Sequence, residues 1–295
     1  MREITAFSVL GLGTMICVSA WGFELKLPPQ SNIKAYSIFS SKSQSLPPGA
    51  ENQSLRFAVD EKERTWLGIG RDLLACPMNG QAYRLSRPYR DLVFQDNGTF
   101  WLSTDSDFGF IIKEGKMAPD GFVVATYQPV AFLPAENNRM APAGGDQLYF
   151  YGPAADHKLF NVYCWKRGSA LKRIFSTPSK ITAVAGDGDK TFVAIGQTIV
   201  EIDRGKKGAR EILTHPSESV TSLAYDPKIG LYFATPAAVG YAGDNGIFIF
   251  LAFSDPQLFI RKGSLYALGK ASGDVIKLDG LEELAHLAGS GERPL

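Results

Sequence analysis

Histidine, cysteine and any surplus of charge are what this 295-residue chain has least of, and each scarcity removes a class of function. Its 31 Lys and Arg nearly balance 30 Asp and Glu, so no bulk electrostatic pull draws it toward nucleic acid or an anionic membrane; only a local patch would do that. No nucleic-acid partner is expected. The three histidines, His157, His215 and His286, are scattered. No HExxH, paired-cysteine cluster or GxSxG accompanies them, which leaves zinc hydrolysis and the α/β-hydrolase nucleophile without support. Helical periodicity is missing as well, because no stretch before the C-terminus sustains apolar residues at helical spacing.

Long apolar runs are also few, and the one at the N-terminus is informative. Ala6 to Val18 carries no charge, Val18-Ser19-Ala20 follows at the positions a signal peptidase reads, and Trp21 would begin the mature chain. Residues 1–20 therefore read as a secretory signal with a thin basic start, the alternative being a buried first strand or helix. The run is too short for a membrane span. Ile16 precedes Cys17 where a lipobox needs a small residue, so no lipid anchor is expected. The implied compartment is the periplasm or the exterior. Cys76 and Cys164 remain after cleavage, as a disulfide or as two buried thiols. Asn52-Gln-Ser and Asn97-Gly-Thr fit the glycosylation sequon, a pattern short enough to arise by chance.

What the chain does have is a repeat. Short β-branched and aromatic runs recur between Gly, Pro, Asn and Asp clusters, the signature of strands. One unit appears six times. Each opens with an apolar strand: Phe57-Ala-Val, Leu92-Val-Phe, Val130-Ala-Phe-Leu, Ile181-Thr-Ala-Val, Val220-Thr-Ser-Leu and Gln257-Leu-Phe-Ile. A turn follows, marked by Asp60, Asp96, Asp146, Asp187, Asp226 and Arg261. The next strand opens on an aromatic: Trp66-Leu-Gly, Trp101-Leu-Ser, Phe150-Tyr-Gly, Phe192-Val-Ala, Tyr232-Phe-Ala and Tyr266-Ala-Leu-Gly. The turn marks are 36, 50, 41, 39 and 35 residues apart, close to the ~40 residues of a four-stranded propeller blade. An insertion from Pro134 to Gly145 accounts for the longest step.

These observations predict an all-β, six-bladed β-propeller of four-stranded blades. The segment Tyr36-Ser-Ile-Phe-Ser-Ser matches the outer strands of the other blades, while the last copy ends at its third strand, Val275-Ile-Lys-Leu. Residues near 34–41 are thus expected to close the last blade and remove a free edge. A seven-bladed ring, with its extra blade in the Pro134 segment or the N-terminal region, is the alternative. The division is 1–20 signal, 21–33 N-terminal extension, 34–280 propeller, and 281–295 a short helix (Leu281 to Leu287) with a tail.

This blade grammar resembles the six-bladed propellers that include NHL-repeat proteins and the gluconolactonase-like enzymes, over roughly residues 34–280. The resemblance implies a metal-dependent lactonase with carboxylate and amide ligands around the central channel and Ca²⁺ or another divalent cation as cofactor. The inner strands instead carry Ala, Val, Phe, Leu and Ser. Only Glu136, Asn137 and Asn138 come close, and they lie in the insertion. No metal ligands, catalytic residues or cofactor are therefore assigned. Gly186-Asp-Gly-Asp189-Lys-Thr looks like a phosphate or calcium loop, but it lacks the P-loop glycines, and the twelfth residue from Asp187 is Thr198. It reads as a tight turn.

Two surfaces remain as candidates. Loops joining second to third strands share one face with the loops linking blades. That face would carry Arg71, Asp105, Asp107, Asp156, His157, Gln197 and Lys270, with Arg87, Tyr89 and Arg90 from a linking loop. Mixed charge with an aromatic suits a polar ligand or peptide, and equally suits plain solvation. His215, before Pro216, is expected solvated. On the opposite face, hairpins of consecutive blades are basic: Lys113 and Lys116, then Lys166, Arg167, Lys172 and Arg173, then Arg204, Lys206, Lys207 and Arg210. They would form a rim for an acidic partner, or a lysine-guarded edge. The functional expectation is a protein-binding or scaffold propeller. The alternative is an enzyme acting on a small sugar or lactone in the channel. Acidic and amide residues converging on the axis favour the enzyme; an apolar or plugged axis favours the scaffold.

Overall fold

The computed structural model describes residues 2–3, 23–25, 33–39, 55–76, 81–95, 98–112, 117, 122–134, 139–203, 208–243, 246–270, 272–282 and 284. Nearly all regular structure among them is strand, arranged as a propeller of four-stranded antiparallel units. The first unit is Leu55–Val59, Thr65–Ile69, Leu73–Cys76 and Gln81–Leu85; the second is Asp91–Phe94, Phe100–Ser103, Asp107–Ile112 and Val123–Phe132. These two share one eight-stranded sheet, because Val123–Ala125 pairs in parallel with Tyr83–Leu85 and joins their outer edges. The third unit is Arg139–Pro142, Gln147–Pro153, Phe160–Lys166 and Lys172–Thr177; the fourth is Ile181–Gly186, Thr191–Ile195, Thr198–Asp203 and Gly208–Thr214. The fifth, Ser222–Asp226, Gly230–Ala234, Ala238–Gly243 and Gly246–Phe253, gains a fifth strand at Phe23–Leu25.

The last unit has Pro256–Arg261, Ser264–Gly269 and Val275–Asp279 from the C-terminal region, and its outer strand is Lys34–Phe39. This is the closure that the unpaired Tyr36 segment predicts. Arg2–Glu3 pairs on its far side. The innermost strands touch their neighbours in cyclic order, and Pro256–Arg261 returns to Leu55–Val59.

Aromatic side chains fill the wedges between units. Trp66, Trp101, Phe150, Phe192, Tyr232 and Tyr266 are all buried. Trp66 meets Phe100 of the next unit edge-on at 5.2 Å, and Phe108 meets Phe150 at 4.4 Å. Such rings each remove ~150–250 Å² from water, which is why the position recurs. Gly68 must be small: a Cβ there would lie 2.4 Å from the Tyr89 hydroxyl. The turn aspartates act as caps. Asp60 accepts from the Lys62 and Arg64 amides and from Trp66 Nε1, and Asp187 accepts from the amides of Asp189 and Lys190. The Gly186 motif is thus a tight turn.

Two expectations need correction. Val130 to Leu133 does not open the third unit; it falls in and just after the ten-residue outer strand Val123–Phe132 of the second. The opening strand is Arg139–Pro142, inside the segment read as an insertion. Arg-Met-Ala-Pro carries none of the β-branched or aromatic residues that mark the other strands, so the pattern slipped to the nearest run that does. His215 is buried rather than solvated, its Nδ1 accepting the Glu218 amide at 3.0 Å beside the Phe233 ring. Cys76 and Cys164 are buried in different sheets and are not joined by a disulfide, the second of the two readings. Ala6 to Val18, Asn52, Asn97 and most of 281–295 lie outside the described residues. Leu281 and Leu284 are buried in the core that includes Tyr232.

Candidate functional site

The linking segments deliver the chain to the start of each inner strand, so the first residues of those strands gather at one end of the axis. Arg56, Asp91, Arg139, Ser222 and Gln257 occupy such positions. A cavity of about 100 Å³ opens there, and its charged wall consists of Asp91, Arg139 and Lys270. Asp91 is buried and fully engaged. Its carboxylate meets Arg139 Nε at 3.1 Å and Arg56 Nε at 3.4 Å, and accepts the Met140 amide at 2.9 Å and its neighbour Leu92's amide at 3.1 Å. Arg139 stays half exposed, its guanidinium 5.8 Å from the centre of the Tyr151 ring. Burial raises the Tyr151 hydroxyl above its ordinary range, so it stays protonated. Gln257 Oε1, buried with no hydrogen-bond partner among the described residues, also lies at this wall. An Arg held from behind by a carboxylate and an aromatic is arranged to present a planar donor set to an anion.

This wall does not fit a hard divalent cation, which takes six to eight oxygen ligands. Its one carboxylate is occupied by two guanidiniums, and no group of three His, Cys, Asp or Glu able to hold a metal occurs among the described residues. Glu136, Asn137 and Asn138 lie outside them.

The residues chosen from sequence divide into clusters. Arg71 and Arg90 both grip Asp105, Arg71 at 3.0 Å, and the Arg90 hydrogen bond chiefly holds that carboxyl below its usual range. Arg87 reaches Asp107 at 3.0 Å while packing its guanidinium over Tyr127. Asp107 is buried, not displayed on a loop: Thr104 and Tyr127 hydroxyls donate to it at 2.6 and 2.8 Å. Tyr89 is buried too, beneath Gly68, and burial drives its hydroxyl far upward. Lys270 pairs with Asp255 at 3.4 Å and reaches the axial cavity. Asp156 and His157 stand exposed on a turn of the third unit, where His157 takes a left-handed φ of 54°. Gln197 is exposed on the fourth, and its carbonyl accepts the His215 amide. Neither group joins the Arg71–Asp105–Arg90 cluster.

Of the basic rim, Lys166, Lys172 and Arg173 line a groove of about 840 Å³ between the third and fourth units. Arg167 is exposed nearby, and Arg210 pairs with Glu201 at 2.7 Å. Lys113, Lys116, Arg204, Lys206 and Lys207 lie outside the described residues. Sequence reasoning missed the axial set of Arg56, Asp91, Arg139, Tyr151 and Gln257. A signal existed for three of them, since Arg56 and Asp91 immediately precede the quoted apolar strands and Gln257 opens one.

No family model matches the chain, and no curated protein matches it in sequence. Its fold does match solved structures. A gluconolactonase from Xanthomonas campestris aligns with a TM-score of 0.53 at 12% identity, over 84% of this chain and 89% of that one. A catalytically inactive virginiamycin B lyase from Staphylococcus aureus with quinupristin aligns at 0.55 and 10%, over 84% and 99%. The chain resembles gluconolactonase-like and virginiamycin B lyase propellers in fold.

Proposed function

We propose that this chain is an exported six-bladed propeller that works as a binding module in the periplasm or extracellular space, gripping an anionic group of its ligand at the axial end. The six-blade count is supported by the cyclic contacts of the inner strands and by the two antiparallel units within the eight-stranded sheet. The observation that carries the binding reading is Arg139, a half-exposed guanidinium on the cavity wall anchored by Asp91 and Tyr151. Lys270 adds a second cation to that wall. A carboxylate offered by a partner protein or a small acid matches this donor set, and no cofactor is required for it.

Thermal melting with gluconate, citrate, phosphate and uncharged glucose as probes tests the reading. An anion that binds only the native state raises the melting temperature; glucose should not, and Arg139→Gln should abolish the shift. No shift with any anion, or an equal shift with glucose, overturns it. The lactonase reading draws on the fold of the neighbours alone. Turnover of glucono-δ-lactone that requires added Ca²⁺ would favour it over the binding module.

A further inference from the structure

The outer edges of the units are treated unequally. Those of the first and second units pair with each other, and that of the fifth is covered by Phe23–Leu25; Arg2–Glu3 covers that of the sixth only while residues 1–20 remain attached. Among the described residues, Lys172–Thr177 of the third unit and Gly208–Thr214 of the fourth end their sheets with no strand beyond them. A bare edge presents unpaired amides and carbonyls, and natural sheets cover or guard it. Between these two strands runs the groove of about 840 Å³. Lys166, Lys172 and Arg173 line it against one carboxylate, Asp203, and Phe175 and Ile202 supply apolar surface.

We propose that this edge takes an extended acidic segment of a partner protein as an added β-strand along Lys172–Thr177. The incoming backbone completes the hydrogen bonding of the edge, and alternate side chains give the specificity. Carboxylates of the segment meet Lys166 and Lys172 on the groove side, where Phe175 and Ile202 add apolar surface, and Arg173 on the other face of the strand. The six-residue edge matches an ordinary strand. The molecule already seals other edges this way, with Phe23–Leu25 laid antiparallel on Gly246–Phe253. Charge points to a second protein, since residues 26–32 contain no acid and residues 40–54 only Glu51. This inference shares with the axial reading only the premise of a binding module, and it concerns a different part of the molecule.

The test is fluorescence anisotropy of the whole protein with a labelled ten-residue peptide of alternating Glu and Val. A Lys-Val peptide serves as control. Saturable binding of the acidic peptide alone is expected, weakened at least about tenfold by Lys172→Glu with Arg173→Glu, whose fold is checked by circular dichroism. Lys228→Glu, an exposed cation of another sheet, leaves binding unchanged; peptide binding that is lost in Arg139→Gln and kept in the double reversal would place the peptide at the axial wall and overturn the proposal. Two further versions of the peptide are N-methylated at alternate residues, one on each edge. One should lose binding and the other keep it, because only one edge meets the sheet. The proposal is overturned if the acidic peptide does not bind, if the double reversal binds as well as wild type, or if both methylated peptides bind equally. That last outcome marks a nonspecific polyanion surface.

Discussion

Glu63 and Lys277, 214 residues apart in sequence, meet at 2.8 Å across the junction of the first and last units. Tyr266 donates to the same carboxylate at 3.3 Å, and Lys262 Nζ donates to the Glu61 carbonyl nearby. The hydrogen bond from Lys277 chiefly holds the Glu63 carboxyl below its ordinary 4.5. Burial pulls the Lys277 ammonium down, but Glu63 and Asp279 outweigh it and leave it raised above 10.5. The Glu63 contribution is therefore complete above its unfolded value and is lost as pH falls through the folded one. That of Lys277 is complete below 10.5 and is lost as pH rises through its folded value. Both hold through neutrality.

Glu63→Gln should lower stability by about 1 kcal/mol or less, because the carboxylate is partly solvated. Urea melts at pH 7 and pH 3 check this. The difference between wild type and variant should shrink as the pH falls below 4.5 and through the lowered folded value of Glu63. A constant difference would assign the effect to packing rather than charge.

The Tyr89 hydroxyl is buried without a hydrogen-bond partner among the described residues. Leaving a buried polar group unsatisfied costs about 1–3 kcal/mol, so Tyr89→Phe should hold or raise the melting temperature. Gly68→Ala pushes a methyl into the same hydroxyl and should cost about 1–3 kcal/mol. Combining the two should recover part of the loss, an interaction that a double-mutant cycle measures directly. Strict additivity would mean that the two residues do not press on each other.

Asp91→Asn removes the charge that Arg56 and Arg139 share while keeping the shape. Breaking a buried pair destabilises by about 3–5 kcal/mol, and the partial exposure of Arg139 places this variant at or below the low end of that range. At the same time the cavity wall becomes more cationic, so anions such as citrate should bind more tightly. Melting with and without citrate reads both effects. A variant that loses anion binding would show that Asp91 positions Arg139 for the ligand and does more than balance its charge.

If residues 1–20 are a signal, the protein recovered after export should begin at Trp21. Intact-mass measurement distinguishes this from the chain beginning at Met1. The mature protein would then lack Arg2–Glu3 but keep Phe23–Leu25 on the fifth unit, and its melting should be nearly that of the full chain. Recovery of Met1 in the exported protein would remove the signal reading.

The repeat was readable because two physical demands recur at fixed spacing. A large ring must fill each wedge, as Trp66, Phe150 and Tyr266 do, and a short acid must cap the following turn, as Asp60 and Asp187 do. The closing strand was readable for a related reason: Tyr36 to Phe39 matched outer strands while the final unit lacked one. Arg139–Pro142 was hidden because its short Arg-Met-Ala-Pro strand has no β-branched or aromatic residue to announce it. The axial site was lost with it, since Arg139 joins Asp91 across 48 residues of sequence. Tyr89 misled in the opposite sense: a linking segment reads as surface, yet the ring folds back beneath Gly68.

The seam at Lys34–Phe39 has a consequence for how the molecule is made. The sheet that completes the circle draws its last strand from residues that emerge early and its other three from residues that emerge late. A ribosome must therefore deliver about 240 further residues before that early strand finds its partner, and the contact is slow for reasons of chain entropy alone. A chain stopped short of Val275 leaves the early strand without the neighbour it was shaped to meet. A chain truncated there therefore keeps an open edge, the kind of surface that invites pairing with other chains.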